Sequence, residues 1–219
     1  MLSASGRKPA AVFIEPIARF FLRLGLTPNQ VTRLGALASV VVAVVAIPTN
    51  HLFLAAIISG LFAAFDMVDG TMARMYGGGT KFGATLDATC DRITDGALFA
   101  AITYWLMVEY DASLPLIAAS FTVLVASQVI SYVKARGEAS GFKINGGLVE
   151  RPERLIIGLV GLGLQGLGVP YAIDVAIWVL AIGSIYTVAQ RLRIAANDPH
   201  ANEIIAPPKG AVDPNRKRK

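Results

Sequence analysis

Asp66-Met-Val-Asp69-Gly70-Thr-Met-Ala73-Arg74, with Gly83, Asp87 and Asp91 following, decides how this chain folds. Four carboxylates fall within 26 residues of a strongly apolar sequence. Asp66 and Asp69 are three apart, Asp87 and Asp91 four apart, and on a helix either spacing puts both members on one face. Between the pairs lies Met75-Tyr-Gly-Gly-Gly-Thr-Lys81, a glycine-rich turn. Two helices therefore fold back on one another, each presenting two carboxylates to the other. With one helix ending near Met75 and the next starting near Phe82, a 1.5 Å rise puts Asp66 and Asp91 each about 13 Å from the turn, and Asp69 and Asp87 about 8–9 Å. Asp66 then faces Asp91, and Asp69 faces Asp87. One aspartate at the bilayer centre costs roughly 2.5–3.5 kcal/mol on insertion scales, so four cost roughly 10–14 kcal/mol. A chain that bears this at helical spacing uses the carboxylates. They read as a cage for divalent cations, since hard oxygen ligands suit Mg²⁺ or Mn²⁺. The alternative is a set of helix-end aspartates that face water.

Composition sets these helices in a membrane. Of 219 residues 54% are hydrophobic, and mean hydropathy is +0.57, which is not a soluble balance. The formal charge is +5, but the positive residues follow membrane topology, so nucleic acid is excluded as the partner. The lone Cys90 excludes a disulfide within one chain and reads as a small packing residue. The first 30 residues mix charges and prolines, so no cleavable signal peptide is expected.

Residues 1–9 are a basic lead. The stretch from Ala10 to Leu26 has apolar residues at roughly helical spacing, broken by Glu15, Arg19 and Arg23. It reads as an amphipathic helix lying in the membrane interface, closed by Thr27-Pro28-Asn29. Apolar runs follow at about 31–48, 52–75, 82–108, 112–135, 154–170 and 172–195, each near the length that crosses a hydrocarbon core. The expected fold is thus an all-α integral membrane protein with six transmembrane helices and an N-terminal interfacial helix. All 20 Lys and Arg fall before or at the start of span 1, around the 2–3 turn and the 4–5 connection, or at and beyond the end of span 6. Five or seven spans would destroy that alternation. The positive-inside rule puts both termini and the carboxylates on the cytoplasmic side of the cell membrane. The domains read as a lead and interfacial helix at 1–26, a membrane domain at 27–196, and a disordered basic tail at 197–219.

Two metals held by four carboxylates suit a pyrophosphate substrate, whose oxygens they bridge and whose phosphorus they polarise. Gly70 and Gly83 admit either a ligand or a neighbouring helix. Arg74 reads as a phosphate partner or as a snorkelling charge. Lys134, Arg136, Arg151, Arg154 and Arg191 sit at one end of spans 4, 5 and 6. They read as a pocket for an anionic acceptor such as a sugar or polyol phosphate, or as topology markers alone.

The spacing Asp66-x2-Asp69-Gly70-x2-Ala73-Arg74-x8-Gly83-x3-Asp87-x3-Asp91 resembles, position for position, the signature of the CDP-alcohol phosphotransferases. The likeness runs over nearly the whole chain, including Leu26-Thr-Pro-Asn-Gln-Val-Thr32. It implies a six-span, usually dimeric membrane enzyme that moves a phosphoalcohol from a CDP-linked donor to an alcohol and releases CMP. Phe82–Gly96, Ser127–Gly141 and Gly146–Ile156 look most like the actinobacterial phosphatidylinositol phosphate synthases. That implies transfer from CDP-diacylglycerol (CDP-DAG) to inositol 1-phosphate (1D-myo-inositol 3-phosphate). The resemblance implies metal ligation by Asp66, Asp69, Asp87 and Asp91, with two Mg²⁺ per site or Mn²⁺ in their place, and Asp91 also as general base. It implies donor contacts from Asn29, Gln30, Val31, Thr32, Gly70, Arg74 and Thr80. Ser131, Lys134, Arg154 and Arg191 would form the inositol-phosphate pocket, with Arg136 near it. Asp95 is extra to the signature and is expected behind the ligands.

Three rival readings make different predictions. A member of the same family acting on glycerol 3-phosphate would make phosphatidylglycerol phosphate. A membrane prenyltransferase would carry its Asp motifs far apart in sequence. A cation transporter would need neither the glycine turn nor the basic cluster.

Overall fold

The computed structural model describes residues 7–204, with side chains from Ile14 onward. Among them are seven helices and no strand: α1 (Arg7–Arg23), α2 (Pro28–Ala46), α3 (Leu52–Met75), α4 (Lys81–Val108), α5 (Leu114–Ala139), α6 (Arg151–Gly166) and α7 (Ala172–Ala196). The lead before Arg7 and most of the expected tail, from 205 on, lie outside the described residues; 197–204 form turns.

Local chemistry places the breaks. Thr27 Oγ1 accepts from the Gln30 N–H while the Gln30 side chain accepts from the Thr27 N–H at 2.8 Å, a capping box, with Pro28 opening α2. Thr80 caps α4 by accepting from the Gly83 N–H at 2.9 Å. Between α3 and α4 the chain passes through Gly77 and Gly78 at φ +89° and +135°. A side chain is strained in that region, so the turn requires glycine.

Helices α2 to α7 close into a ring in the order α2, α3, α6, α7, α5, α4 and back to α2, while α1 lies across α3. The two carboxylate-bearing helices do fold back, but they splay from their turn and share little direct seam. Helix α2 packs on both instead. The dry core fills one half of the ring with Ile47, Leu52, Phe99, Ile102, Leu106, Val123, Ile173, Ile177 and Leu180, all buried. On the other half α1 buries Ile14 and Ala18 against Val31, Val68 and Met72, and Phe21 meets Phe65 edge-on at 5.5 Å. Its outer face leaves Ile17 and Phe20 uncovered, as does Leu24 just past its end, as suits a helix at a lipid surface.

The loops at the dry end are tied together. Trp105 Nε1 donates to Asn50 at 2.9 Å and stacks on Tyr110 at 5.1 Å, and the Tyr110 hydroxyl donates to Asp174 at 2.8 Å. Burial and the Asp174 carboxylate push the Tyr110 phenol up to about 12, so it stays a donor near neutrality.

Four helices, α2, α3, α5 and α7, are long and apolar enough to cross a membrane. Helix α4 is longer, at 28 residues, but it carries Asp87, Asp91 and Arg92 in its first half and Asp95 at its midpoint. Helix α6 has 16 residues, about 24 Å of helix. It packs closely on its neighbours. A Cβ at Gly161 would stand 2.3 Å from the Ala176 Cβ, and one at Gly166 would stand 2.4 Å from the Phe53 backbone nitrogen. Backbone cannot move aside as a flexible side chain can. Gly166→Ala is expected to cost roughly 1–3 kcal/mol through overpacking. Gly60→Ala, whose Cβ would meet only Leu159 at 3.9 Å, should be neutral or slightly stabilising. Thermal unfolding of the two variants in detergent checks this; equal melting points would show that α6 does not depend on its glycines.

Candidate active site

The up-and-down ring brings the motif carboxylates and the basic helix ends to the half opposite the dry core. Asp66 and Asp69 come from the last turns of α3, Asp87 and Asp91 from the first half of α4 and Asp95 from its midpoint, and Arg151 and Arg154 from the first turn of α6. Each of the four motif carboxylates is within electrostatic reach of others in the set. They divide into two groups.

Asp69 and Asp87 line a cavity of about 700 Å³ together with Asn29, Thr32, Gly70, Arg74, Tyr76, Gly79, Thr80 and Gly83. That lies within the usual range for small-molecule sites. The Thr32 hydroxyl and the Gly70 N–H both donate to Asp69, while Arg74 Nη2 donates to Thr71 Oγ1 at 2.8 Å, which aims its guanidinium. A Cβ at Gly83 would stand 3.0 Å from Asn29 Oδ1 and 3.1 Å from Thr80 Oγ1. Glycine there lets the start of α2 close on the start of α4.

Of the seven residues expected to contact the donor, Asn29, Thr32, Gly70, Arg74 and Thr80 face this cavity. Gln30 is spent on the capping box and Val31 is buried in the α1 cluster. Tyr76 and Gly79 line the cavity without having been singled out in the sequence. The glycine turn is the signal that could have flagged them.

Asp66 and Asp91 form the second group, and one nitrogen joins them. Arg151 Nη2 lies 2.9 Å from Asp66 Oδ2 and 2.9 Å from Asp91 Oδ1. The expected Asp66–Asp91 opposition is present, bridged by a guanidinium across the splayed helices. Arg151 Nε also reaches Asp95 at 3.3 Å. Asp95 is fully buried, 2.5 Å from the equally buried Arg154 and 3.6 Å from Arg92. Arg92 donates as well to Ser131. Asp95 thus stands behind the site, on three arginines.

The residues assigned to an acceptor pocket are dispersed. Arg191 is buried and holds the α5–α6 connection, donating to the carbonyls of Gly146 at 3.1 Å and Ile130 at 2.7 Å and to Glu150 at 2.9 Å. Arg154 faces Asp95, and its Nε and Nη1 have no protein partner among the described residues. Lys134 is half exposed, 4.0 Å from Glu138, and Arg136 is exposed. Arg92 is the basic residue that sequence reasoning left out of the site. Its signal was its place beside Asp91.

Among the described residues no three acidic, His or Cys groups are drawn together as a ready metal site. The donor set nevertheless fits a divalent cation. Its ligands are hard carboxylate oxygens, and two of them already converge on a single positive atom.

Comparison with known proteins agrees with the geometry. A family model for CDP-alcohol phosphatidyltransferases matches residues 25–189. A Corynebacterium glutamicum phosphatidylinositol phosphate synthase is 67% identical over 211 residues, 96% of this chain and 96% of the relative. One from Mycobacteroides abscessus is 50% identical over 200 residues, 91% of this chain and 90% of the relative. The crystal structure of Mycobacterium tuberculosis phosphatidylinositol phosphate synthase with CDP-DAG bound superposes with a TM-score of 0.85 at 49% identity, covering 88% of this chain and 98% of that one. The same enzyme in complex with manganese and citrate gives 0.85 at 49%, over 88% and 93% of the two chains. The Asp-Gly-Arg signature, the helical ring and these likenesses agree: the chain belongs to the CDP-alcohol phosphatidyltransferase family and is an enzyme of phospholipid biosynthesis.

Proposed function

We propose that this enzyme transfers the phosphatidyl group of CDP-DAG to inositol 1-phosphate (1D-myo-inositol 3-phosphate), giving phosphatidylinositol phosphate and CMP. The observation that carries the reading is the cavity in which Asp69 and Asp87 meet Asn29, Thr32, Gly70, Arg74 and Thr80. It sets the Arg74 guanidinium, a group suited to phosphate, beside the Asp69 and Asp87 carboxylates at the glycine turn, as a metal-bound nucleotide pyrophosphate requires. The relatives' names and the CDP-DAG complex of the mycobacterial enzyme support the same donor and acceptor.

Asp66, Asp69, Asp87 and Asp91 would hold two Mg²⁺, or Mn²⁺ as in the mycobacterial neighbour. Bound there, the cations neutralise the pyrophosphate and make the lipid-bearing phosphorus electrophilic. Asp91 takes the proton of the acceptor hydroxyl. The acceptor oxygen forms a bond to that phosphorus, the pyrophosphate P–O bond breaks, and CMP leaves. Arg74, oriented by Thr71, binds the nucleotide phosphates. Ser131, Lys134, Arg154 and Arg191, with Arg136 at the rim, receive the inositol phosphate. Arg154 has unspent donors, and Arg191 uses three of its five N–H groups on protein.

In this reading six helices, α2 to α7, span the cell membrane as one domain over 27–196. Helix α1 lies on the cytoplasmic surface, and the site opens to the cytoplasm. The alternation of basic residues supports that orientation. A homodimer is the expected assembly.

The test is CMP release by purified protein with CDP-DAG, Mg²⁺ and one of three acceptors. Release with inositol phosphate alone is the expected result. Release with glycerol 3-phosphate alone would make the enzyme a phosphatidylglycerol phosphate synthase, and release with free inositol alone would dismiss the phosphate-binding role of the arginines.

A further inference from the structure

Arg151 stands in a position that the signature does not explain. Its Nη2 touches Asp66 and Asp91 at 2.9 Å each, and its Nε touches Asp95. Arg92 and Arg154 complete the cluster. Three carboxylates, Asp66, Asp91 and Asp95, are matched by three guanidiniums. That balance holds with no metal ion counted, in a part of the ring where an unmatched charge is costly. Asp69 and Asp87 lie outside it, in the larger cavity.

Arg151 Nη2 occupies one oxygen of each carboxylate, Asp66 Oδ2 and Asp91 Oδ1, so a divalent cation shared by the same two side chains would lie close to the guanidinium. A guanidinium and a 2+ ion held at close range on one pair of carboxylates repel each other, so the two compete for the pair. Arg151 has somewhere to go. Its Nε is already on Asp95, and a cavity of about 30 Å³ adjoins it, lined in part by Ser39, Ser59, Asp66, Thr94 and Asp95 and in part by alanine and leucine side chains. That is room for one or two waters, and the Ser59 hydroxyl there has no partner among the described residues.

We propose that Arg151 is the resident counter-ion of the Asp66–Asp91 pair: it holds the two carboxylates together in the metal-free enzyme and is displaced onto Asp95 when a divalent cation binds. The proposal rests on the metal reading given above. It makes Arg151 a positioning residue that stabilises the empty site and weakens metal affinity by competition.

Mn²⁺ uptake by the full-length protein in detergent, followed by the electron paramagnetic resonance of free Mn²⁺, tests this together with thermal unfolding in chelator. Arg151→Gln should bind Mn²⁺ roughly tenfold or more tightly, because a charge-assisted hydrogen-bonded competitor is gone. Its metal-free form should melt below wild type, and metal should raise its melting point further than it raises that of wild type. A role in packing alone would leave affinity unchanged or lower it. Arg151→Lys keeps the charge but loses the fork, so its affinity should fall between the two. If the glutamine variant does not fold, the lysine variant decides: Mn²⁺ binding no tighter than wild type overturns the proposal. Unchanged or weaker binding by a folded Arg151→Gln also overturns it, with the metal reading intact. Wild-type protein that takes up no Mn²⁺ overturns the metal reading and the proposal with it.

Discussion

Asp91→Asn is expected to abolish CMP release, by about 10³-fold or more, in a protein that still folds and still binds CDP-DAG. General-base catalysis alone is worth roughly 10²–10⁴-fold, and Asp91 is also proposed as a metal ligand, so the asparagine removes two functions at once. The substitution is nearly isosteric. Asp91 sits on α4, one helical turn ahead of the buried Asp95, which stays in place on Arg154. The fold therefore loses one partner of Arg151 and keeps the rest of the cluster. The measurement is CMP release at saturating CDP-DAG and inositol phosphate, with donor binding and melting temperature followed in the same preparation. Turnover within tenfold of wild type would remove Asp91 from the chemistry. A collapse of melting temperature in parallel would make its role structural.

The largest loss of stability is expected elsewhere, at a residue outside the signature. Asp95 is fully buried and pairs with Arg154, Arg151 and Arg92 at 2.5, 3.3 and 3.6 Å. Asp95→Asn leaves Arg154, also fully buried, facing a neutral amide. Breaking a buried pair from one side costs about 3–5 kcal/mol, because the orphaned charge stays desolvated. Removing both charges is far cheaper, so Asp95→Asn combined with Arg154→Met should recover a good part of the loss. Glu15→Gln is the control. Its pair with Arg19, at 3.6 Å, is exposed on both sides, and such pairs contribute about 0–1 kcal/mol. Melting curves in one detergent order the variants. A single Asp95 variant no less stable than the Glu15 variant would show that water or lipid headgroups already reach the arginines.

The helices were legible because their signals are local. Thr27-Pro28 and Thr80, the glycines at 77 and 78, and six apolar runs set the number and order of the helices α1 to α7, with some ends displaced by up to four residues: α1 runs Arg7–Arg23 where 10–26 was expected, and α6 runs Arg151–Gly166 where 154–170 was expected. Asp spacing alone put Asp66 opposite Asp91 and Asp69 in line with Asp87, since helical rise and period need no knowledge of neighbours. The cradle at Asn29 and Thr32 was legible only through the family signature. No local rule says that the start of α2 closes over the turn between α3 and α4.

What the chain determined by itself is the set of helices, the end of the ring where the basic residues gather, and the pairing of the four carboxylates. Those follow from hydropathy, periodicity and residue type, all of which act along the chain. Only the tertiary structure decided how the motif helices meet. They splay, α2 and not a direct seam holds them, and a guanidinium from α6 enters the space between Asp66 and Asp91. Arg191 likewise turned inward to hold a loop, and Gln30 and Val31 were taken by a cap and a core. Each of these depends on partners 30 or more residues away or on competition among several polar groups for one position, and sequence spacing does not encode which competitor wins.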